Sequence, residues 1–291
     1  MNTIDLHMHS IYSDDGEYTP TELMKMCKDA GLQIVAIADH NSTKAIPEAR
    51  NAAEKLKLTY IPAIELDCTI HGVDLHVLGY GIDENNQALL DNAEYVKKQA
   101  QNVGKEQIEK VKALGFYIDE DACYALSHEG VITGEIIAEV ALQDERNHPL
   151  MKEYLPGGSR SDNPFVNFYW DYCAQSKPAY VPIHYISLKE AVDMIHAAGG
   201  IAVLAHPGNN TKENLSLIDA IFAYDVKGME VYSSYHSPEQ IAFYKDYAEQ
   251  HYLMITMGSD FHGKTKPSIA LGGSHCPDTS LYENAILSLI K

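Results

Sequence analysis

Six apolar runs spread between residues 7 and 262 each end in a histidine or an acid. Asp5-Leu-His7-Met-His9 opens the series, and Ala38-Asp39-His40, Ile64-Glu65 and Asp74-Leu-His76 follow. Leu204-Ala-His206 and Gly258-Ser-Asp260-Phe-His262 complete it, with Ser13-Asp14-Asp15-Gly16 in the loop after the first run. Charged groups buried singly at strand ends are costly, whereas the same groups gathered around divalent cations are compensated. The pattern therefore predicts a fold that brings the C-terminal ends of its strands to one rim. Strand periodicity sends His7 and His9 to the same side, about 7 Å apart, and leaves Leu6 and Met8 to pack on the other.

The first and last thirds alternate short β-like runs with amphipathic helices. Expected strands are Thr3–Leu6, Val35–Ala38, Thr59–Leu66, a hairpin Cys68–Ile70/Val73–Tyr80 turning at His71-Gly72, then Ile201–Ala205, Met229–Val231 and Met254–Met257. Thr19-Pro-Thr-Glu22 and Ser187-Leu-Lys-Glu190 are capping boxes that open helices. About seven strands joined by helices indicate an α/β protein, either a parallel barrel or a doubly wound sheet. Between them a polar helix over 87–113 leads into a Gly/Ser/Pro-rich stretch and the aromatic group Tyr169, Trp170 and Tyr172. This middle part reads as an inserted subdomain, residues 99–180, lying as a lid over an active site carried by residues 1–98 and 181–291. Packing of that subdomain accounts for the aromatic group better than stacking on a base.

Twenty-two basic against 41 acidic residues leave a net charge of −19. A generic nucleic-acid or membrane surface needs the opposite balance, so stable duplex binding and membrane association are not expected. Five scattered cysteines without a CxxC pair suit free thiols in the cytoplasm. The first residues carry neither a basic nor a long apolar region, so no leader is expected. The sequence leaves the oligomeric state open.

The ordered blocks DLHxHS…SD, xDH, E, LHxLGY, LAHPG and GSDFHG resemble those of the PHP (polymerase and histidinol phosphatase) metal-dependent phosphoesterases. The similarity is greatest to the subgroup acting on nucleoside 3′,5′-bisphosphates and on short oligonucleotides from the 5′ end. The resemblance implies a distorted seven-stranded (β/α)7 TIM-like barrel with a small, mostly helical insertion. It also implies three divalent cations. One would be held by His7, His9, Glu65 and Asp260, a second by Glu65, His76 and His206, and a third by Asp14, His40 and His262. Such an N/O shell without sulfur suits Mn²⁺, Fe²⁺ or Zn²⁺, singly or mixed.

The implied reaction is hydrolysis of a phosphomonoester or terminal phosphodiester of a nucleotide or short oligonucleotide by a hydroxide bridging two cations, with Glu65, His206 and Asp260 acting through it. Asp5 and Asp39 are expected to orient the imidazoles, with backbone capping an equal alternative for Asp5. His236 is a candidate proton donor or phosphate contact, its rival role being that of a helix-entry residue. The subgroup directs arginines of the insertion at substrate phosphates. Here the matching stretch is Ile132-Thr-Gly134-Glu135, without arginine, so Lys105, Lys177, Arg146 or Arg160 would have to substitute. The alternatives are a PHP phosphatase on a non-nucleotide phosphomonoester, such as a sugar or histidinol-like phosphate, or a non-catalytic module that docks a partner. In the first two cases the partner is a small anionic phosphoester.

Overall fold

The computed structural model describes residues 3–289. Three short strands, β1 (Ile4–Asp5), β2 (Ile34–Val35) and β3 (Thr59–Tyr60), form a parallel sheet in that order. A second sheet contains β4 (Ala63–Ile70), β5 (Val73–Tyr80), β6 (Ile186–Ser187), β7 (Ile201–Leu204), β8 (Gly228–Ser233) and β9 (Met254–Gly258). Its order is β6-β4-β5-β7-β8-β9, with β5 antiparallel to both neighbours and the other pairs parallel. The protein is therefore an α/β fold.

Main-chain bonds run between the two sheets. Leu6 N–H donates to the Met257 carbonyl (3.0 Å) and His9 N–H to that of Phe261 (2.9 Å), beside β9. On the other side, Asn41 N–H donates to the Glu65 carbonyl (2.8 Å) and Glu65 N–H to that of Asp39 (3.1 Å). The chain just beyond β1 and β2, where His7, His9 and His40 lie, is thus stitched to β9, which leads into Asp260, and to β4, which carries Glu65.

The expected strand Thr59–Leu66 is two strands, because Pro62 between them has no N–H to give a ladder. Cys68–Ile70 is the end of β4, not a separate strand. The hairpin turns at His71 (φ 52°) and Gly72 (φ 77°), the paired left-handed conformations that a two-residue hairpin requires.

Helices α1 (Pro20–Asp29) and α2 (Ile46–Leu56) cross between the first three strands. Thr19 closes its capping box with Glu22, and α1 buries Leu23, Met24 and Cys27. These join Leu6 and Met8 in one apolar cluster, where each large side chain contributes about 1.5–3 kcal/mol by leaving water. The 27-residue α3 (Gln87–Ala113) leads to α4 (Glu120–Leu126), α5 (Gly134–Gln143) and α6 (Pro164–Phe168). Then come α7 (Leu188–Ala197), α8 (Pro207–Asn210), α9 (Leu215–Phe222), α10 (Pro238–Gln250) and α11 (Glu283–Leu287). Ser187 and Glu190 form the second capping box.

There are two apolar clusters. The larger joins the strands to α1, α2, α7, α9 and α10. The smaller, from Ile108 to Ala179, is built on Phe116, Ile137, Met151 and Phe168, with Tyr172 packed against it. Phe116, Phe168 and Tyr172 meet with ring centroids 4.6–5.4 Å apart, so packing occupies Tyr172. Among the described residues, no helix is long and apolar enough to cross a membrane.

Candidate metal centre

Glu65, fully buried on β4, stands amid five imidazoles. Its Oε2 lies 3.1 Å from His7 Nε2, 3.3 Å from His9 Nε2 and 3.3 Å from His40 Nδ1. Its Oε1 lies 3.0 Å from both His76 Nδ1 and His206 Nε2. Asp260 is the second hub, with Oδ1 3.0 Å from His9 Nε2 and 3.4 Å from His7 Nε2. Asp260 (φ 56°) and His206 (φ 21°) both hold positive φ. Non-glycine residues adopt that conformation at a cost, and such strain gathers at functional sites.

Most of these rings are fixed from behind. His7 Nδ1–H donates to Glu230 Oε2 (2.7 Å), His206 Nδ1–H to Asn210 Oδ1 (3.1 Å) and His262 Nδ1–H to the Asp260 carbonyl (2.8 Å). Ser13 Oγ lies 2.8 Å from His9 Nδ1 and accepts the His40 N–H (2.8 Å). Anchoring one nitrogen turns the other toward the centre, which is how metal-ligating imidazoles are held. The backbone is equally close-set: a Cβ on Gly258 would come within 2.2 Å of the Cβ of His7.

Among the described residues, four groups of side chains have ligand atoms within 4.8 Å of one another. They are His7, His9, Glu65 and Asp260; Glu65, His76 and His206; His9, Asp15, His40 and His262; and His40, Asp67 and His76. The third departs from the sequence reading. Asp15, not Asp14, faces His262, with Oδ2 3.1 Å from its Nε2, while Asp14 stays exposed at the mouth. Asp67 was not foreseen; its Oδ1 is 3.2 Å from His76 Nε2 and 3.4 Å from His40 Nδ1.

His7 Nε2, His9 Nε2, His40 Nδ1, Glu65 Oε2 and Asp15 Oδ1 are buried without a hydrogen-bond partner. Buried polar atoms are rarely left so, and five of them converging from separate elements fit divalent cations. The charges agree. Burial opposes protonation of His7 and His40, yet the carboxylates facing them, Glu65 above all, hold both well above the usual imidazole range. Burial works against ionisation of Glu65 as well, but His7, His40 and His76 keep it well below the usual carboxylate range. Burial and the neighbouring His262 push His9 down to about 4.

Other expected residues stand apart from the rings. Of the two roles open to Asp5, the geometry fits backbone capping, and its carboxylate bonds to no imidazole ring. It accepts the Ser259 N–H (2.9 Å), the Ser259 hydroxyl (2.6 Å) and the Gly272 N–H (2.8 Å), tying the last strand's end to the first. Asp39 likewise accepts the N–H and hydroxyl of Ser10 (2.6 and 2.7 Å). The carboxylate that orients an imidazole is Glu230 on β8, an acid inside an apolar run. Arg160 is paired with Asp171 (3.0 Å) and Arg146 with Asp144, both in the middle of the chain, and Lys105 is exposed on α3. Lys177 lines the cavity above the cluster. Lys266, which sequence reasoning missed, is buried with Nζ 2.8 Å from Asp260 Oδ2, and the Tyr235 hydroxyl donates to the same oxygen.

His236 has no nitrogen left for a substrate. Its Nδ1–H donates to the Val231 carbonyl (2.8 Å), its Nε2 accepts the Gly208 N–H (3.0 Å), and it is buried against Tyr244. It is a strut under the loop that carries His206. His236→Ala is expected to lower stability by about 2–3 kcal/mol without removing a limb of the pH–rate profile. A melting curve and that profile test it; loss of a limb in a stably folded variant would make it the proton donor after all.

A cavity of about 720 Å³ lies over the cluster, walled by the strand ends and by Glu135, Tyr169, Trp170 and Lys177 from the middle of the chain. Residues 5–149 match the PHP domain. The 5′-3′ exoribonuclease Rnm of Salmonella typhimurium is 30% identical over 276 residues, 92% of this chain and 87% of its own. The chain belongs to the PHP family. A 3′,5′-nucleoside bisphosphate phosphatase of Chromobacterium violaceum is 28% identical over 265 residues, covering 90% of this chain and 88% of its own. A structure from Bifidobacterium adolescentis, described as a metal-dependent phosphoesterase, superposes with a TM-score of 0.78 at 27% identity over 99% of this chain and 96% of its own. This PHP protein is a phosphoester hydrolase, and its buried cluster is built for divalent metal.

Proposed function

We propose that this PHP protein hydrolyses a phosphomonoester or a terminal phosphodiester of a nucleotide or short oligonucleotide, with three divalent cations at the Glu65–Asp260 cluster. One observation carries the reading: buried ligand atoms on five separate residues converge there without hydrogen bonds. His7, His9, Glu65 and Asp260 would hold one cation, Glu65, His76 and His206 a second, and Asp15, His40 and His262 a third. The sulfur-free donor set suits Mn²⁺, Fe²⁺ or Zn²⁺. When bound, the metals supply Lewis acidity and a nucleophilic water near neutral pH.

The chain's own groups do the rest. Glu230, Asn210 and Ser13 hold His7, His206 and His9 in register with the centre. Lys266 places a buried positive charge beside Asp260, where an incoming phosphoryl group needs one. In the balanced reaction a water oxygen bonds to phosphorus, the ester P–O bond breaks and the departing alcohol takes a proton.

Residues 99–180 serve as the lid, and residues 1–98 and 181–291 as the catalytic body. The separate apolar cluster of the middle segment supports this division. Seven strands, β1, β2, β4, β5, β7, β8 and β9, make a distorted barrel, supported by the main-chain bonds that join β1 to β9 and the end of β2 to β4. All five cysteines are buried and free, which favours a cytoplasmic setting.

The test is a panel of phosphoesters offered to the protein with and without added Mn²⁺. Hydrolysis that depends on the metal is expected. A fully metallated protein inert toward every phosphoester would instead favour a module that docks a partner.

A further inference from the structure

Glu135 stands in the cavity wall, one residue into α5, and only 9% of it is exposed. Its position is fixed by close packing. A Cβ on the preceding Gly134 would come within 2.8 Å of the Tyr169 ring and 2.9 Å of Cys173, so α5 lies hard against the segment that forms the rest of the wall. Thr133 caps the helix and reaches back to the Glu135 carboxyl.

No cation pairs directly with that carboxylate, and Lys266 acts on it only at a distance. Among the described residues, none lies within ion-pair distance of it, and no arginine lines the cavity. Lys177 and Lys212 are exposed at the rim, and the buried Lys266 is already bonded to Asp260. A buried carboxylate without a cation beside it is costly, and a further donor brought by the ligand would relieve it.

We propose that Glu135 selects the organic part of the substrate, taking a hydrogen bond from a sugar hydroxyl and excluding a second phosphate, so that the preferred substrates are nucleoside or sugar monophosphates. The inference rests on the phosphoesterase reading above and narrows it. The metal cluster claims one phosphate, and a second anion reaching the lid would meet Glu135 instead of a cationic fork. Like charges facing one another across the cavity repel, which weakens binding by about tenfold or more. Tyr169, Trp170, Tyr185 and Ile132 give the same cavity an aromatic and apolar wall for the rest of the molecule, and its volume suits a ligand of nucleotide size.

The experiment compares kcat/KM of the Mn²⁺-loaded protein for adenosine 5′-monophosphate, ribose 5-phosphate and adenosine 3′,5′-bisphosphate, with p-nitrophenyl phosphate as a substrate lacking hydroxyls. The monophosphates are expected to exceed the bisphosphate by about tenfold or more. Glu135→Gln keeps the size and removes the charge, so the bisphosphate-to-monophosphate ratio should rise about tenfold; Glu135→Lys should raise it further. A wild-type protein that takes the bisphosphate as readily as the monophosphates overturns the proposal, whether or not the variants fold. So does a Glu135→Gln variant that changes all substrates by one factor, which is the mark of a structural role. If the loaded wild type leaves even p-nitrophenyl phosphate intact, the phosphoesterase reading itself has failed.

Discussion

Replacing Glu65 by glutamine is expected to lower kcat/KM by about a thousandfold or more, the several kcal/mol that metal ions contribute to such reactions. Bound metal should fall with it. The substitution conserves shape, so the effect is chemical. Among the described residues, the carboxylate is the only group within 3.3 Å of ring nitrogens from His7, His9, His40, His76 and His206 together. An amide offers a neutral oxygen to cations that need an anionic ligand, and turns its NH₂ toward imidazoles that also need to be acceptors.

Glu230→Gln supplies the contrast. Glu230 touches the centre only through His7, and losing such an orienting partner typically costs about 10–100-fold. Metal content measured by elemental analysis, alongside kcat/KM, separates the two positions. A Glu65→Gln variant that kept full metal content and turnover would remove Glu65 from the centre.

Much of this site is legible in the sequence because strand ends announce themselves. An apolar run that stops at His7, His40, His206 or Asp260 has already told which way its last side chain faces, and Glu65, though it lies inside β4, closes such a run. Loop ligands carry no such signal. Asp14 and Asp15 are adjacent, and only the turn that brings Gly16 back against Ser10, whose carbonyl would lie 1.9 Å from a Cβ there, turns Asp15 rather than Asp14 toward His262. Glu230 and Asp67 sit inside strands rather than at their ends, where period-2 reading sees an interruption instead of a ligand. Lys266 follows the last block in a loop, and its burial comes wholly from tertiary contacts. His236 shows the converse. Its place just after a strand resembles that of a ligand, but a helix cap at the next residue and the Gly208 N–H across from it make it a structural post. The fold followed the same division: long helices such as 87–113 and the capping boxes at Thr19 and Ser187 are local, whereas the joining of β1 to β9 spans most of the chain.

Chelation is expected to lower the melting temperature by about 10 °C at pH 8, since a ligand at a thousandfold its Kd adds about 4 kcal/mol to the folded state and one kcal/mol moves a domain of this size by about 2–4 °C. The effect should shrink steadily toward pH 5, and the sign follows from the cluster itself. In the metal-free protein His7, His40 and His76 are held above their ordinary value of 6.5 by Glu65 and its neighbours, against the opposing effect of burial. Their contribution is full below pH 6.5 and is lost as the pH rises through the folded-state values. Glu65 is held below its ordinary 4.5 and Asp260 below 3.8, so their contribution is present above those values and lost as the pH falls further. His9, pushed down to about 4 by burial, subtracts stability as the pH drops below 6.5. The chelated protein should therefore be most stable between about pH 4.5 and 6.5, toward the upper end. Cations reverse the alkaline limb, because they bind neutral imidazoles and must displace protons to do so. Melting curves with Mn²⁺ and with chelator, taken from pH 5 to 8, should diverge as the pH rises. Superimposed curves at pH 8, or a gap widest at pH 5, would mean that these imidazoles and carboxylates neutralise one another and hold no metal.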